Sequence, residues 1–232
     1  YEAAGAKVTF VGHPLIDTVH TSMSYEEACI YFNVNKEAKR ILLMPGSRKN
    51  EVMNLLPVML QACNLLIKNV NCQIFIPRAE TISKSMLEEI IQKNGNLPVT
   101  ITERNQYDLM SICTACVASS GTATLETALM ELPTVLVYKL SPITWFLAKH
   151  LVHIKYAGLP NIILNKEVTP ELLQSAVTPK NIKEIIEPWI TDSSIRNQNV
   201  IELRRVREKL GNSGAVQRVV ELILNVAEKR NV

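Results

Sequence analysis

A chain of 232 residues with 47% hydrophobic content is long enough to bury a full core as one large domain or two small ones. Its formal net charge of +3, with both signs interspersed, argues against a general nucleic-acid binder. Apolar runs fall short of the roughly 20 residues that span a bilayer. No signal peptide is recognisable and the first residue is Tyr1, not Met, so the chain reads as one entered in its middle.

In chain order, Tyr1 to Lys7 leads into a strand-like Val8-Thr9-Phe10-Val11-Gly12. Arg40-Ile41-Leu42-Leu43-Met44-Pro45 is a strand, followed by a helical pattern from about Asn50 to Lys68. The strand Cys72 to Pro77 precedes a helix over about Ile82 to Lys93, and Val99-Thr100-Ile101 precedes a short helix near Tyr107 to Cys113. A strand from Cys116, a helix from Thr122 and a strand from Pro133 to Tyr138 follow. These strands are continuous apolar runs without polar alternation, as expected of a parallel sheet covered by helices on both faces. The pattern predicts an α/β, doubly wound, Rossmann-like domain with ligands at the carboxyl ends of its strands. After Leu164 the pattern turns helical, with Pro170 and Pro179 near helix starts. A final helix from about Gly214 to Glu228 aligns Val216, Val219, Val220, Ile223 and Val226 on one face, which needs a covering surface.

Five scattered cysteines (Cys29, Cys63, Cys72, Cys113 and Cys116) fit a reducing compartment. The spacing of Cys113 and Cys116 suits zinc or redox chemistry, but no second pair or nearby histidine completes a zinc site. Buried structural thiols account better for both.

The most informative stretch is Ser119-Ser120-Gly121-Thr122-Ala123-Thr124-Leu125-Glu126. A strand stops at two hydroxyls and a glycine, and strong helix formers follow. A helix start of this kind offers unpaired N–H groups and the positive end of the backbone dipole to a phosphate. Gly121 lets the backbone approach closely, and Ser120 and Thr122 add hydroxyl donors. Glu126, just over one turn in, carries two acceptor oxygens suited to a ribose diol. The plainer alternative is an ordinary N-cap with a solvated glutamate. Met44-Pro45-Gly46-Ser47-Arg48-Lys49-Asn50-Glu51 repeats the arrangement at an earlier strand end, with Arg48 placed either to hold a diphosphate bidentately or to pair with Glu51. Two such turns in one parallel sheet lie near each other and together favour a nucleotide diphosphate.

Four segments then carry a specific resemblance: Val11-Gly12-His13-Pro14-Leu15-Ile16-Asp17, Leu43 to Val52, Ala118 to Glu126, and Leu159-Pro160-Asn161-Ile162-Ile163-Leu164. In order and spacing they resemble the lipid-A-disaccharide synthases, and the likeness extends over essentially the whole chain. The turn around Gly121 is shared with other GT-B glycosyltransferases, whereas the combination of GHPL, PGSR and LPN is more particular. Met44 stands where that family usually has leucine.

The resemblance implies the C-terminal, donor-binding half of a GT-B glycosyltransferase with no metal and no cofactor. Residues 1–14 would be the last strand and hinge of an absent acceptor domain that also holds the catalytic base. Residues 15–211 would bind the UDP-sugar, and 212–232 would form a helix folding back on the absent domain or onto a second subunit in a homodimer. The implied reaction is inverting transfer of 2,3-diacylglucosamine from UDP to the 6-hydroxyl of 2,3-diacylglucosamine 1-phosphate, lipid X. Donor contacts are implied at His13, Gly46, Ser47, Arg48, Ser120, Gly121, Thr122, Thr124, Glu126 and Asn161, with Arg48 stabilising the leaving diphosphate. Asn161 reads equally as a turn residue, and His13 equally as a residue shaping the crossover.

Both implied substrates are acylated, which implies a cytoplasmic protein at the inner face of the inner membrane. The stretch 142–156, with Trp145, Phe146, Lys149 and Lys155, reads either as an interfacial helix or as a half-buried domain helix with a basic face. Rival readings are another GT-B enzyme of UDP-sugars, such as the lipid II transferase or a UDP-GlcNAc 2-epimerase, and a UDP-binding module inactive by itself.

Overall fold

The computed structural model describes residues 1–141, 145 and 155–230. Its strands are β1 (Lys39–Met44), β2 (Cys72–Pro77), β3 (Val99–Thr102), β4 (Ala115–Ser119), β5 (Thr134–Tyr138) and β6 (Glu171–Leu173). They form a parallel sheet in the order β3-β2-β1-β4-β5-β6, with Ile41 opposite both Ile74 and Ala115. The helices are α1 (Leu15–Thr18), α2 (Tyr25–Tyr31), α3 (Lys49–Leu66), α4 (Lys84–Lys93), α5 (Gln106–Ile112), α6 (Thr122–Leu129), α7 (Leu159–Leu164), α8 (Pro179–Thr191), α9 (Ser193–Leu210) and α10 (Ala215–Arg230).

The continuous apolar strands are explained by burial on both faces. Ile41, Leu43, Ile74, Ile76, Val117, Val135 and Val137 meet Leu56, Met59 and Leu60 of α3, with Ile90 of α4 and Ile182 and Ile186 of α8. The intervening Leu42, Phe75, Cys116 and Ala118 face the other way, onto Ala28 of α2 and Leu109 and Ile112 of α5. A third cluster packs Leu125 and Leu129 of α6 on Leu203 and Val206 of α9, around Val19 and Val168.

One expectation needs correction. Pro170 opens no helix: its carbonyl accepts from Leu136 N at 2.9 Å, and strand β6 follows it along the sheet edge. A proline without an N–H is tolerated at the first position of an edge strand, and three strand residues are too few to leave a period in the sequence. Val8 to Gly12, read as the last strand of a domain beyond this chain, pairs with no strand among the described residues. Pro179 does start a helix, behind the cap that Thr178 Oγ1 makes with Asn181 N.

The segment before α1 is instead tied to the start of α10. Asp17 accepts from Gly214 N at 2.7 Å and Ala215 N at 3.2 Å, capping the helix. Arg218 of α10 donates from Nε to Val11 O at 2.9 Å and from its two terminal nitrogens to Ser213 O and Asn212 O. Beyond this corner the apolar stripe read from the sequence stands open: Val216, Val219, Val220, Ile223 and Val226 are between 38% and 61% exposed.

Cys113 and Cys116 are buried. Burial pushes the Cys113 thiol up to about 12 and Cys116 well above its ordinary value, which opposes thiolate chemistry at either. Cys63 is pushed up in the same way and Cys72 to about 11. Titrating the native chain with an aromatic disulfide reagent at pH 8 is therefore expected to modify the half-exposed Cys29 first. Cys72, also half-exposed but with its thiol pushed up to about 11, should follow, and Cys63, Cys113 and Cys116 should react only on unfolding; rapid reaction of Cys113 and Cys116 as a pair would contradict the packing.

Candidate functional site

The strand order reverses between β1 and β4, which is where a doubly wound sheet opens a crevice beyond its carboxyl ends. A cavity of about 360 Å³ lies there. Gly46, Ser47 and Arg48 line it from the turn after β1, and Ser120, Gly121 and Thr122 from the turn after β4. The two motifs, some seventy positions apart in sequence, thus form the walls of one cavity.

Gly46 lets the turns approach. It sits at φ +109, and a Cβ there would collide with the Glu51 carboxylate and come within 3.1 Å of Ser119 Oγ at the end of β4. Gly121, at φ +142, faces open space, so a ligand can come up against its backbone. Neither α3 nor α6 is capped by its N-cap side chain, whereas α2, α4, α8 and α9 are capped by Ser24, Ser83, Thr178 and Asp192. Two helix starts therefore point unmatched N–H groups and positive dipole ends toward the cavity, an arrangement that stabilises an anion.

Two cations stand at the rim, each with a carboxylate partner. Arg48 pairs with Glu51 at 2.8 Å while 79% of its side chain is exposed. Arg78, at the end of β2, pairs with Glu103 at 3.0 Å and donates to Ile82 O at 2.8 Å. Arg78 was missed in the sequence, because it follows its strand directly, without the Gly-Ser turn and helix start that marked Arg48. Gln106, which also lines the cavity, and its neighbour Tyr107 were missed too.

The remaining candidates are placed differently. Glu126 is half-buried one turn into α6, where Oε1 accepts from the Tyr107 hydroxyl at 3.0 Å. Thr124 is buried, with Oγ1 donating to Gly121 O at 2.9 Å; it closes the first turn of α6 and cannot reach a ligand. Asn161 is 0% exposed and meets no cleft. Its Nδ2 donates to Thr169 O and Glu171 Oε1, and its Oδ1 accepts from Val168 N and Thr169 N. Of its two sequence readings the structure selects the turn-holding one, because four converging backbone and carboxylate groups satisfy the amide completely. His13 Nδ1 accepts from Leu15 N at 3.2 Å at the start of α1, and His13 is not among the residues lining the cavity. In the stretch 142–156, Phe146 and Lys149 lie outside the described residues, as does everything except Trp145, Lys155 and Tyr156. Among the described residues, no three His, Cys, Asp or Glu side chains gather as a metal site would require.

A family model described as lipid-A-disaccharide synthetase matches residues 1–222. The chain belongs to that family. Lipid-A-disaccharide synthases from Trichlorobacter lovleyi and Syntrophus aciditrophicus are 39% and 36% identical over 230 residues, covering 99% of this chain. One from Coxiella burnetii is 31% identical over 227 residues, covering 97%. The chain spans about 60% of the length of these synthases. Among solved structures, UDP-GlcNAc 2-epimerase from Neisseria meningitidis bound to UDP-GlcNAc superposes with a TM-score of 0.63 at 15% identity, over 93% of this chain and 54% of its own. WaaG, a glycosyltransferase involved in lipopolysaccharide biosynthesis, gives 0.59 at 12%, over 88% and 52%. At such identities the likeness shows the fold alone, a Rossmann-like parallel sheet of the GT-B kind.

Proposed function

We propose that this chain is the donor-binding portion of an inverting glycosyltransferase that moves 2,3-diacylglucosamine from UDP to the 6-hydroxyl of lipid X, releasing UDP. The observation that carries this reading is the convergence of two uncapped helix starts and Arg48 on one cavity at the switch point, in a chain of this family. The solved Neisseria structure of the same fold holds UDP-GlcNAc, which is consistent with a UDP-sugar here.

In the reaction the acceptor O6 bonds to the donor C1 as the bond from C1 to the diphosphate breaks, and the electron pair leaves on the diphosphate. Backbone N–H groups of the Gly46 and Gly121 turns, with the Arg48 guanidinium, hold that developing charge. Glu126 takes the ribose hydroxyls. The base receiving the O6 proton, and the acceptor domain, belong to the part of the enzyme beyond this chain. That part, or a second copy of the chain, covers the open stripe of α10. The substrates proposed are acylated, which brings the enzyme to a membrane surface; no helix among the described residues is long and apolar enough to cross a membrane.

Calorimetric titration with UDP, GDP and UDP-diacylglucosamine tests the reading. Uridine diphosphate is expected to bind in preference to GDP, and Glu126→Ala to weaken UDP about 10-fold or more through loss of a charged hydrogen-bond acceptor. A folded chain that binds no uridine nucleotide overturns it. Binding of UDP without preference for the acylated donor favours a different UDP-sugar enzyme.

A further inference from the structure

Glu126 can receive a ribose diol only if its carboxylate is held in one orientation, and the helix that carries it does not supply that hold. Among the described residues its side chain has one hydrogen-bond partner, the Tyr107 hydroxyl, which donates to Oε1 at 3.0 Å from α5, on the neighbouring connection. The Tyr107 ring is wedged between the cluster under α2 and α5 and the cluster between α6 and α9, packing against both, which leaves its hydroxyl little freedom. Among the described residues Oε2 of Glu126 accepts no hydrogen bond, so the second oxygen is free for a ligand. Neither Tyr107 nor Glu126 is itself in the cavity lining, which includes Gln106, next to Tyr107 in sequence, and Thr122, one turn before Glu126 on α6.

We propose that Tyr107 is a positioning residue that orients Glu126 and thereby sets the preference for a ribose with both hydroxyls over a sugar without them. The proposal rests on the diol assignment of Glu126 made above. It gives the tyrosine a role that phenylalanine cannot fill, because the ring alone fixes nothing on the carboxylate. Burial first, then the charge of Glu126 and the hydrogen bond to it, raise the phenol above its ordinary pKa, with Gln106 opposing. The hydroxyl therefore keeps its proton, and remains a donor, across the neutral range.

The test is calorimetric titration of this chain, of Tyr107→Phe, of Glu126→Ala and of the double variant, each with UDP and with 2′,3′-dideoxyuridine diphosphate. The unsubstituted chain is expected to favour UDP about 10-fold or more. Tyr107→Phe should cut that ratio about fivefold while leaving the dideoxy affinity unchanged, and should add nothing in the Glu126→Ala background. A ratio preserved in Tyr107→Phe overturns the proposal and leaves the diol assignment standing. Equal weakening of both nucleotides also overturns it, since that is the signature of a merely structural tyrosine. An unsubstituted chain that does not distinguish the two nucleotides removes the diol assignment itself, and the proposal with it.

Discussion

Arg48→Ala in the full-length enzyme is expected to lower kcat about 100- to 1000-fold, the usual effect of deleting one preorganised donor from an enclosed site. Arg48 lines the cavity at the start of α3 with its guanidinium engaged by Glu51 and mostly open to solvent. An exposed pair of this kind adds little to stability, about 1 kcal/mol or less, so its replacement should leave the fold intact. Under the proposed function, a diphosphate would offer the guanidinium two oxygens in the geometry that a carboxylate offers, with more charge, and would replace Glu51 as its partner. The interaction then strengthens as charge moves onto the leaving group, so its loss should fall on turnover more than on binding. Arg48→Lys keeps the charge but loses the planar fork, and should recover only part of the rate. A variant with raised KM and unchanged kcat would show that Arg48 binds the ground state alone.

Asn161→Ala should have the largest effect on stability, about 3–5 kcal/mol. The amide makes four hydrogen bonds at full burial, and its removal leaves Val168 N and Thr169 N without an acceptor, at about 1–3 kcal/mol for each buried orphan. Glu171 would also lose a donor, although it still accepts from Ala157 N at 2.8 Å and Gly158 N at 2.9 Å. In a chain of this length the melting temperature should drop by about 10 °C, measured by calorimetry or circular dichroism. UDP affinity of the molecules that remain folded should be unchanged. Weaker UDP binding at an unaltered melting temperature would restore the cleft role that the sequence also allowed.

The contrast between these two residues shows where sequence reasoning carried and where it stopped. Arg48 sits in a local pattern of strand, Gly-Ser turn and helix start, and each part of that pattern has a local physical cause. Asn161 also sits in a recognisable motif, but its partners Val168, Thr169 and Glu171 are brought round by a turn and a short edge strand that left no period. Thr124 fell inside the turn motif and proved structural, because one turn of helix rotates its side chain back onto the Gly121 carbonyl. Arg78 and Tyr107 were overlooked for the opposite reason: neither belongs to a motif, and their places depend on β2 and α5 lying beside the two turns.

From the sequence alone came the five longer strands, the helices between them and the two anion-suited turns, since apolar runs, glycines and helix starts act over a few residues. The tertiary structure decided which strands are neighbours. The placement of β1 against β4 brings turns some seventy residues apart to one cavity, and no local period encodes that pairing. It arises because both faces of the sheet must be buried at once, α3, α4 and α8 covering one and α2 and α5 part of the other. That is a condition on the whole chain, and only the assembled packing satisfies it.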